Sequence, residues 1–307
     1  MRAVIIRSFG GPEVLEVAQV PRPEPGPGQV RIRVAAAAVN PVDVQTRSGA
    51  LARAGIHAPR DVLGLGWDVS GTVDAVGAGV RGFAAGDRVA GLSDRPGLAL
   101  KAQAEYAVLD AGAVAVLPDG LDLVAAATLP LNALTAAQAL DLAAVEPGGT
   151  LLVTGATGAV GGYAVEIAAR SGARVVAVAG ERDAELVRGL GAWRVVPRDG
   201  DLAEAVRAAV PGGVDAAVDA ASLGVRALDA VRGGGAFVAI LGGAAPPALR
   251  GTRVYHIWIR ADGARLAALA AAGLTTRVAG TLPLADVAEA HRRLEAGRQR
   301  GRLVLVP

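Results

Sequence analysis

The sequence predicts an α/β protein in which a doubly wound parallel sheet follows a β-rich, barrel-like region. Three observations predict it. Short β-prone segments punctuated by glycine and proline fill the first part of the chain. From Pro118-Asp119-Gly120 onward, apolar strand-like runs alternate with amphipathic helical runs. One of those strands leads directly into a glycine-rich turn that opens a helix.

In chain order, the β-prone segments are residues 2–6, 15–17, 30–39, 69–76 and 104–109. Gly10-Gly11-Pro12, the proline-rich run from Pro21 to Gly28, and Gly77-Ala78-Gly79 separate them. Proline withholds an N–H from a ladder and glycine favours turns, so these clusters end strands. Residues 123–127 and 134–144 read as helices. Strands are expected at 150–154, 174–178, 194–196, 214–218 and 236–241. The helices between them fall near 158–171, 183–190, 202–209 and 224–231. A strand-like 253–259, helices at 262–272 and 284–296, and a closing strand at 302–306 complete the chain.

A length of 307 residues predicts two domains, and 52% hydrophobic with 20% charged residues is a globular composition. The apolar stretch 123–140 contains Pro130, Asn132 and Gln138, and 233–249 is cut by glycines and a proline pair, so neither reads as a membrane span. The apolar part of the N-terminus is too short for a signal peptide, and a cytoplasmic protein is expected. The absence of cysteine removes disulfides, thiolate nucleophiles and sulfur-ligated zinc. His57, His256 and His291 are scattered without ligand-like spacing, so no metal is expected. Net charge is +2, with Lys101 the only lysine. The arginines cluster only at Arg292-Arg293 and from Arg298 to Arg302, without interleaved aromatics. That pattern suits a solvated helix end rather than a nucleic-acid partner.

The turn is Gly155-Ala156-Thr157-Gly158-Ala159-Val160-Gly161, with glycines every third residue. One glycine permits the tight turn, a second lets backbone approach a pyrophosphate, and a third lets the helix pack close to the sheet. The helix start then offers unpaired N–H groups to an anion. The next strand ends in Val178-Ala179-Gly180-Glu181-Arg182. An acidic residue there would bond the ribose hydroxyl of NAD, whereas an arginine favours the 2′-phosphate of NADP. Gly180 and Arg182 favour NADPH and Glu181 favours NADH; NADPH is the preferred reading. Arg182 as a surface residue opening a helix is the competing one.

These motifs, with Gly10-Gly11-Pro12-Glu13-Val14-Leu15, Val39-Asn40-Pro41-Val42-Asp43, Gly66-Trp67-Asp68-Val69-Ser70-Gly71, Gly86-Asp87-Arg88-Val89, Leu134-Thr135-Ala136 and Gly301-Arg302-Leu303-Val304-Leu305, carry a resemblance over nearly the whole chain. The sequence resembles the medium-chain dehydrogenase/reductase superfamily, in its zinc-free quinone oxidoreductase branch related to zeta-crystallin. The resemblance implies a GroES-like catalytic domain (1–120 with 259–307) and an inserted Rossmann domain (121–258). It also implies a homodimer formed through the edge strand near 253–259. Zinc-dependent relatives place cysteine where this chain has Asn40, and His-Glu where it has Trp67-Asp68. They also carry a cysteine-rich structural lobe that is missing between Asp87 and Tyr106.

Without a metal, the simplest chemistry is hydride transfer from NADPH to a quinone or an α,β-unsaturated carbonyl, whose conjugation spreads the developing charge onto an oxygen. The resemblance implies Asn40, Gln45 and Asn132 as donors near that oxygen, with Thr135 approaching the cofactor. Arg198, where quinone reductases often have a tyrosine, is implied as a second phosphate contact. Each has a plainer reading. Asn40 before Pro41 can simply shape a turn, Asp43 suits a helix N-cap, Gln45 can be a pocket wall, and Arg47 is expected to pair locally. Trp67 fits either the acceptor pocket or the core. An enoyl thioester reductase is the adjacent alternative, and an NADPH-binding sensor with little turnover is an alternative of another class. A short-chain dehydrogenase is disfavoured, because no lysine lies four residues after Tyr106, Tyr163 or Tyr255.

Overall fold

The computed structural model describes residues 1–297 and 299–307; Arg298, part of the basic cluster noted above, lies outside the described residues. The chain divides into two compact units, one formed by Met1–Leu131 with Arg260–Pro307 and the other by Asn132–Ile259.

The first unit is built on the strand Gln29–Val39, whose eleven residues are long enough to serve several neighbours. It pairs antiparallel with Asp68–Val76 on one side. On the other, its first half meets Tyr106–Asp110 and its end meets Arg302–Val306. The resulting seven-stranded sheet also holds Val278–Pro283, Arg88–Leu92 and Val114–Val116. A separate three-stranded sheet joins Glu16–Gln19, Arg2–Ile6 and Leu63–Gly64. Val30, Ile32 and Val34 alternate along the long strand and meet Val69, Val73, Val89 and Leu109 in one core. The period-two spacing puts all three on one face. Val4, Ile6, Leu63, Leu282, Leu303 and Leu305 form a second core.

The second unit is a six-stranded sheet, every pairing parallel, in the order Arg194–Val196, Arg174–Val178, Thr150–Thr154, Val214–Asp219, Val231–Ala239, Arg253–His256. Numbered within the unit this is 3-2-1-4-5-6, the doubly wound order of dinucleotide-binding domains. Thr150–Thr154 is buried at every position, as a strand covered on both faces must be. Leu152, Val176, Val206, Val214 and Phe237 pack the core beneath it.

The structure departs from expectation at several elements. The helix expected at 224–231 is a single turn, Val225–Leu228, and Val231 already begins a nine-residue strand. The helix expected from 134 starts at Pro130, where proline suits a first turn. Arg88–Leu92, Val114–Val116 and Val278–Pro283 are strands that the sequence reading passed over. Among the described residues, no helix is long and apolar enough to cross a membrane.

Candidate active site

In the second unit, Thr150–Thr154 is the strand at which the sheet order reverses, and the glycine-rich turn lies at its C-terminal end. Gly155 adopts φ 60°, the left-handed region that glycine enters at least cost. The N–H of Gly158 donates to the Gly155 carbonyl at 2.8 Å, which closes the turn. The helix Ala159–Arg170 then packs so closely on that carbonyl that a Cβ at Gly161 would overlap it. Ala156 and Thr157 complete the loop, and Ala159 and Val160 begin the helix, which brings its N-terminus to the end of the strand. A helix N-terminus at the end of the switch-point strand is the usual place for an anion.

The adjoining strand end is tied to the same turn. Thr154 Oγ1 donates to Asp219 Oδ1 at 2.5 Å and accepts the Ala221 N–H at 3.0 Å. The Asp219 carboxylate also accepts the N–H groups of Leu223 (3.1 Å) and Gly224 (2.8 Å). A buried carboxylate with three donors thus fixes the loop after its own strand beside the glycine turn. Sequence reasoning assigned Asp219 no role; its position at the end of an apolar strand was the available signal.

At the end of Arg174–Val178, the position a Cβ would take on Gly180 lies 3.8 Å from Nε and Nη2 of Arg198. Gly180 and Arg198 are therefore brought together. Arg182 lies on the exposed single turn Glu181–Asp183. Among the described residues, neither Arg182 nor Arg198 makes an ion pair or hydrogen bond through its guanidinium. Asn132 and Thr135 are buried on the helix Pro130–Ala143, three residues apart and so on adjacent turns of one face.

In the first unit, Asn40 ends the central strand and caps the helix Pro41–Arg47. Its side chain is fully buried, and Nδ2 donates to Asp68 Oδ2 at 2.7 Å. The other oxygen of Asp68 accepts the N–H of Leu131 at 2.5 Å. Burial pushes the Asp68 carboxyl up to about 7, against the Leu131 N–H, the Asn40 amide and the Arg302 charge, while the Asp43 charge adds to the rise.

Asp43, expected as the helix N-cap, instead sits three residues into the motif. Its Oδ2 accepts the Asn40 N–H at 2.8 Å and its Oδ1 the Gly66 N–H at 2.9 Å. This is the return bond of a capping box, which needs an acceptor three residues after the cap. Burial raises the Asp43 carboxyl and lowers the Lys101 ammonium, and the attraction between the two opposes both shifts. Lys101 donates to the Ser93 carbonyl at 2.8 Å and lies 4.0 Å from the Trp67 ring centroid. Trp67 is thus core under a buried cation. The sequence showed Lys101 as the only lysine without revealing that it was buried.

Gln45 is half-buried, and its amide forms no hydrogen bond among the described residues, which leaves it outside the Asn40–Asp68 pair. Arg47, expected to pair locally, instead holds Glu295 with both terminal nitrogens (2.6 and 3.2 Å) and the Gly10 carbonyl at 3.1 Å. Partners so distant in sequence are created by the fold, and local spacing cannot show them.

Comparisons with known proteins show the family to which this fold belongs. The family model described as alcohol dehydrogenase GroES-like domain matches residues 26–119, and that described as zinc-binding dehydrogenase matches residues 190–305. The chain is 37% identical over 205 residues to the chloroplast envelope quinone oxidoreductase homolog of Arabidopsis thaliana, covering 64% of this chain and 60% of that protein. It therefore spans less than two thirds of that relative. It is 30% identical over 320 residues to the chloroplastic NADPH-dependent alkenal/one oxidoreductase of the same plant, covering 100% of this chain and 80% of the relative. A solved structure titled NAD-dependent alcohol dehydrogenase superposes with a TM-score of 0.85 at 35% identity, covering 100% of both chains.

The zinc named in the second family description can be tested against the residues present. Asn40 Nδ2 donates to Asp68 and is not a ligand, and Trp67 offers a ring already covered by the Lys101 ammonium. Among the described residues, no three histidine, cysteine or acidic side chains are arranged to hold a metal ion. This donor set does not fit zinc.

Proposed function

This chain belongs to the medium-chain dehydrogenase/reductase superfamily, in its quinone oxidoreductase branch, and we propose that it transfers hydride from NADPH to a quinone or an α,β-unsaturated carbonyl. The observation that carries the proposal is the Gly155–Gly161 turn at the sheet's switch point, with the unengaged Arg182 and Arg198 at the end of the next strand. The turn fits a pyrophosphate, which a Cβ at Gly161 would displace through the helix. The two arginines fit the 2′-phosphate that distinguishes NADPH from NADH. A full-length neighbour titled NAD-dependent and an NADPH-dependent relative make this choice of cofactor worth testing directly.

Bound NADPH supplies the hydride. The chain's own work is to bind, orient and stabilise. Backbone N–H groups at the start of the helix Ala159–Arg170 hold the pyrophosphate, and Thr135 packs toward the cofactor. Asn40 and Gln45 in the first unit are the proposed amide donors for the oxygen on which charge develops, and Asn132 is the candidate donor of the second. A solvent proton completes the reduction, so no acidic side chain need be consumed. The open edge of the parallel sheet, Arg253–His256, is proposed to pair with a second copy, which a molecular mass of the native assembly would test.

The deciding experiment follows NADPH oxidation with quinones, free enones and enoyl thioesters, with NADH in parallel. Turnover of quinones or enones with NADPH preferred is expected. Turnover confined to thioesters would make the protein an enoyl thioester reductase. Binding of NADPH without turnover would make it a sensor.

A further inference from the structure

Asp68 is fully buried, and both of its oxygens are committed, one to the Asn40 amide and the other to the Leu131 backbone N–H. A carboxylate can only accept, so it also sets the orientation of Asn40, with Nδ2 turned toward Asp68. Leu131 belongs to the first turn of the helix Pro130–Ala143, where backbone N–H groups have no intrahelical partner. One side chain therefore joins a proposed substrate donor to the Leu131 backbone. Neither partner is near Asp68 in sequence, being 28 and 63 residues away.

We propose that Asp68 is a positioning residue for the reduction: as a carboxylate it holds the Asn40 amide and the first turn of the Pro130–Ala143 helix in one arrangement, and protonation releases one of them. This rests on the reduction proposed above. A protonated carboxyl turns one oxygen into a donor, which then faces an N–H. The groups acting on Asp68 are Asp43, which disfavours its charge, and Arg302, the Asn40 amide and the Leu131 N–H, which favour it. The burial that drives the carboxyl up to about 7 places the release near neutral pH. Activity rises as pH passes upward through that range.

The chain contains only two asparagines, Asn40 and Asn132, so selective 15N-asparagine labelling yields two side-chain amide signals. The pair lost in Asn40→Ala identifies Asn40. In the cofactor-free wild type this signal should shift across neutral pH, and in Asp68→Asn it should not. In NADPH oxidation, Asp68→Asn should lower kcat about 100-fold, the scale of a misplaced catalytic group, while KM for NADPH changes less than about twofold and the neutral limb of the pH profile disappears. Should Asp68→Asn fail to fold, the exchanged pair Asn40→Asp with Asp68→Asn restores a donor facing an acceptor. It should recover the melting temperature and leave kcat low.

An Asn40 signal that ignores pH, or titrates equally in Asp68→Asn, overturns the proposal. So does a wild-type pH profile that does not follow the amide, or recovery of kcat by the exchanged pair. If the wild type turns over no quinone or enone, the reduction itself falls, and the amide titration separately decides whether Asp68 controls Asn40.

Discussion

The proposed preference for NADPH rests on two side chains, Arg198 and Arg182. Arg198 lies beside Gly180, while Arg182 projects from an exposed turn, so on the proposed reading Arg198 is expected to carry the larger share of 2′-phosphate recognition. A charge-assisted hydrogen bond contributes about 1.5–3 kcal/mol, so Arg198→Ala should weaken NADPH binding by about 10- to 100-fold. NADH binding should change little, since NADH lacks the phosphate. Fluorescence titration with both nucleotides checks this, and equal losses would remove Arg198 from phosphate recognition. At this scale the sequence displayed the residues that stand in a local pattern, Gly155, Gly158, Gly161 and Gly180 among them. It could not display Asp68 or Asp219 as organisers, because a buried carboxylate is recognised by donors that other segments bring to it. Asn40 was read on its own, and its meaning came from Asp68.

Elements were legible where burial imposes a pattern. The strands 150–154, 174–178 and 194–196 were expected with the bounds observed, because each carries a short apolar, β-branched run, buried at every position in the first and at four of five in the second. Val231–Ala239 was obscured because its first part, Arg232-Gly233-Gly234-Gly235, lacks both apolar alternation and β-branched residues. Those four residues fall in the irregularity between the Val214↔Val231 and Ala216↔Ala236 pairings, where no regular ladder imposes an apolar pattern. Arg88–Leu92 and Val114–Val116 are short and their register comes from neighbouring strands. Within the second unit, the junction of Thr150–Thr154 with the helix Ala159–Arg170 depends on Gly161. Replacing Gly161 with Ala puts a methyl against the Gly155 backbone and must move the helix or the turn. Overpacking of this kind costs about 1–3 kcal/mol. The expected outcome is a lower melting temperature together with weakened binding of both NADPH and NADH. That loss of both distinguishes it from Arg198→Ala, and unchanged binding of both nucleotides would show that the turn does not hold the pyrophosphate.

At the scale of the whole chain, the N-terminal and C-terminal segments of the first unit are fastened by a buried cluster whose charge state depends on pH. Arg47 Nη1 lies 3.3 Å from His291 Nδ1 and the same guanidinium grips Glu295. With arginine as the donor, Nδ1 accepts and the ring proton sits on Nε2, which has no partner among the described residues. Burial, helped by the Arg47 charge and opposed by Glu295, lowers the His291 pKa to about 4. A base whose pKa falls on folding is bound by protons more readily when unfolded, so stability is lost as pH drops from the unfolded value of 6.5 toward 4. Over that span the loss from His291 is about 3 kcal/mol. Asp68 works in the opposite direction. Its raised pKa means the folded chain holds a proton that the unfolded chain releases, so its contribution is present below 3.8 and is lost as pH rises toward 7. Measured alone, the wild-type curve mixes both. His291→Gln retains an acceptor for Arg47 and removes the titration, so urea unfolding at pH 7 and pH 4.5 should show the variant losing less stability on acidification than the wild type. Asp68→Asn should shift the difference the other way, with the wild type gaining on acidification relative to the variant. Parallel curves for wild type and His291→Gln would show that His291 takes up its proton equally in the folded and unfolded chain, and that its pKa is not lowered by folding.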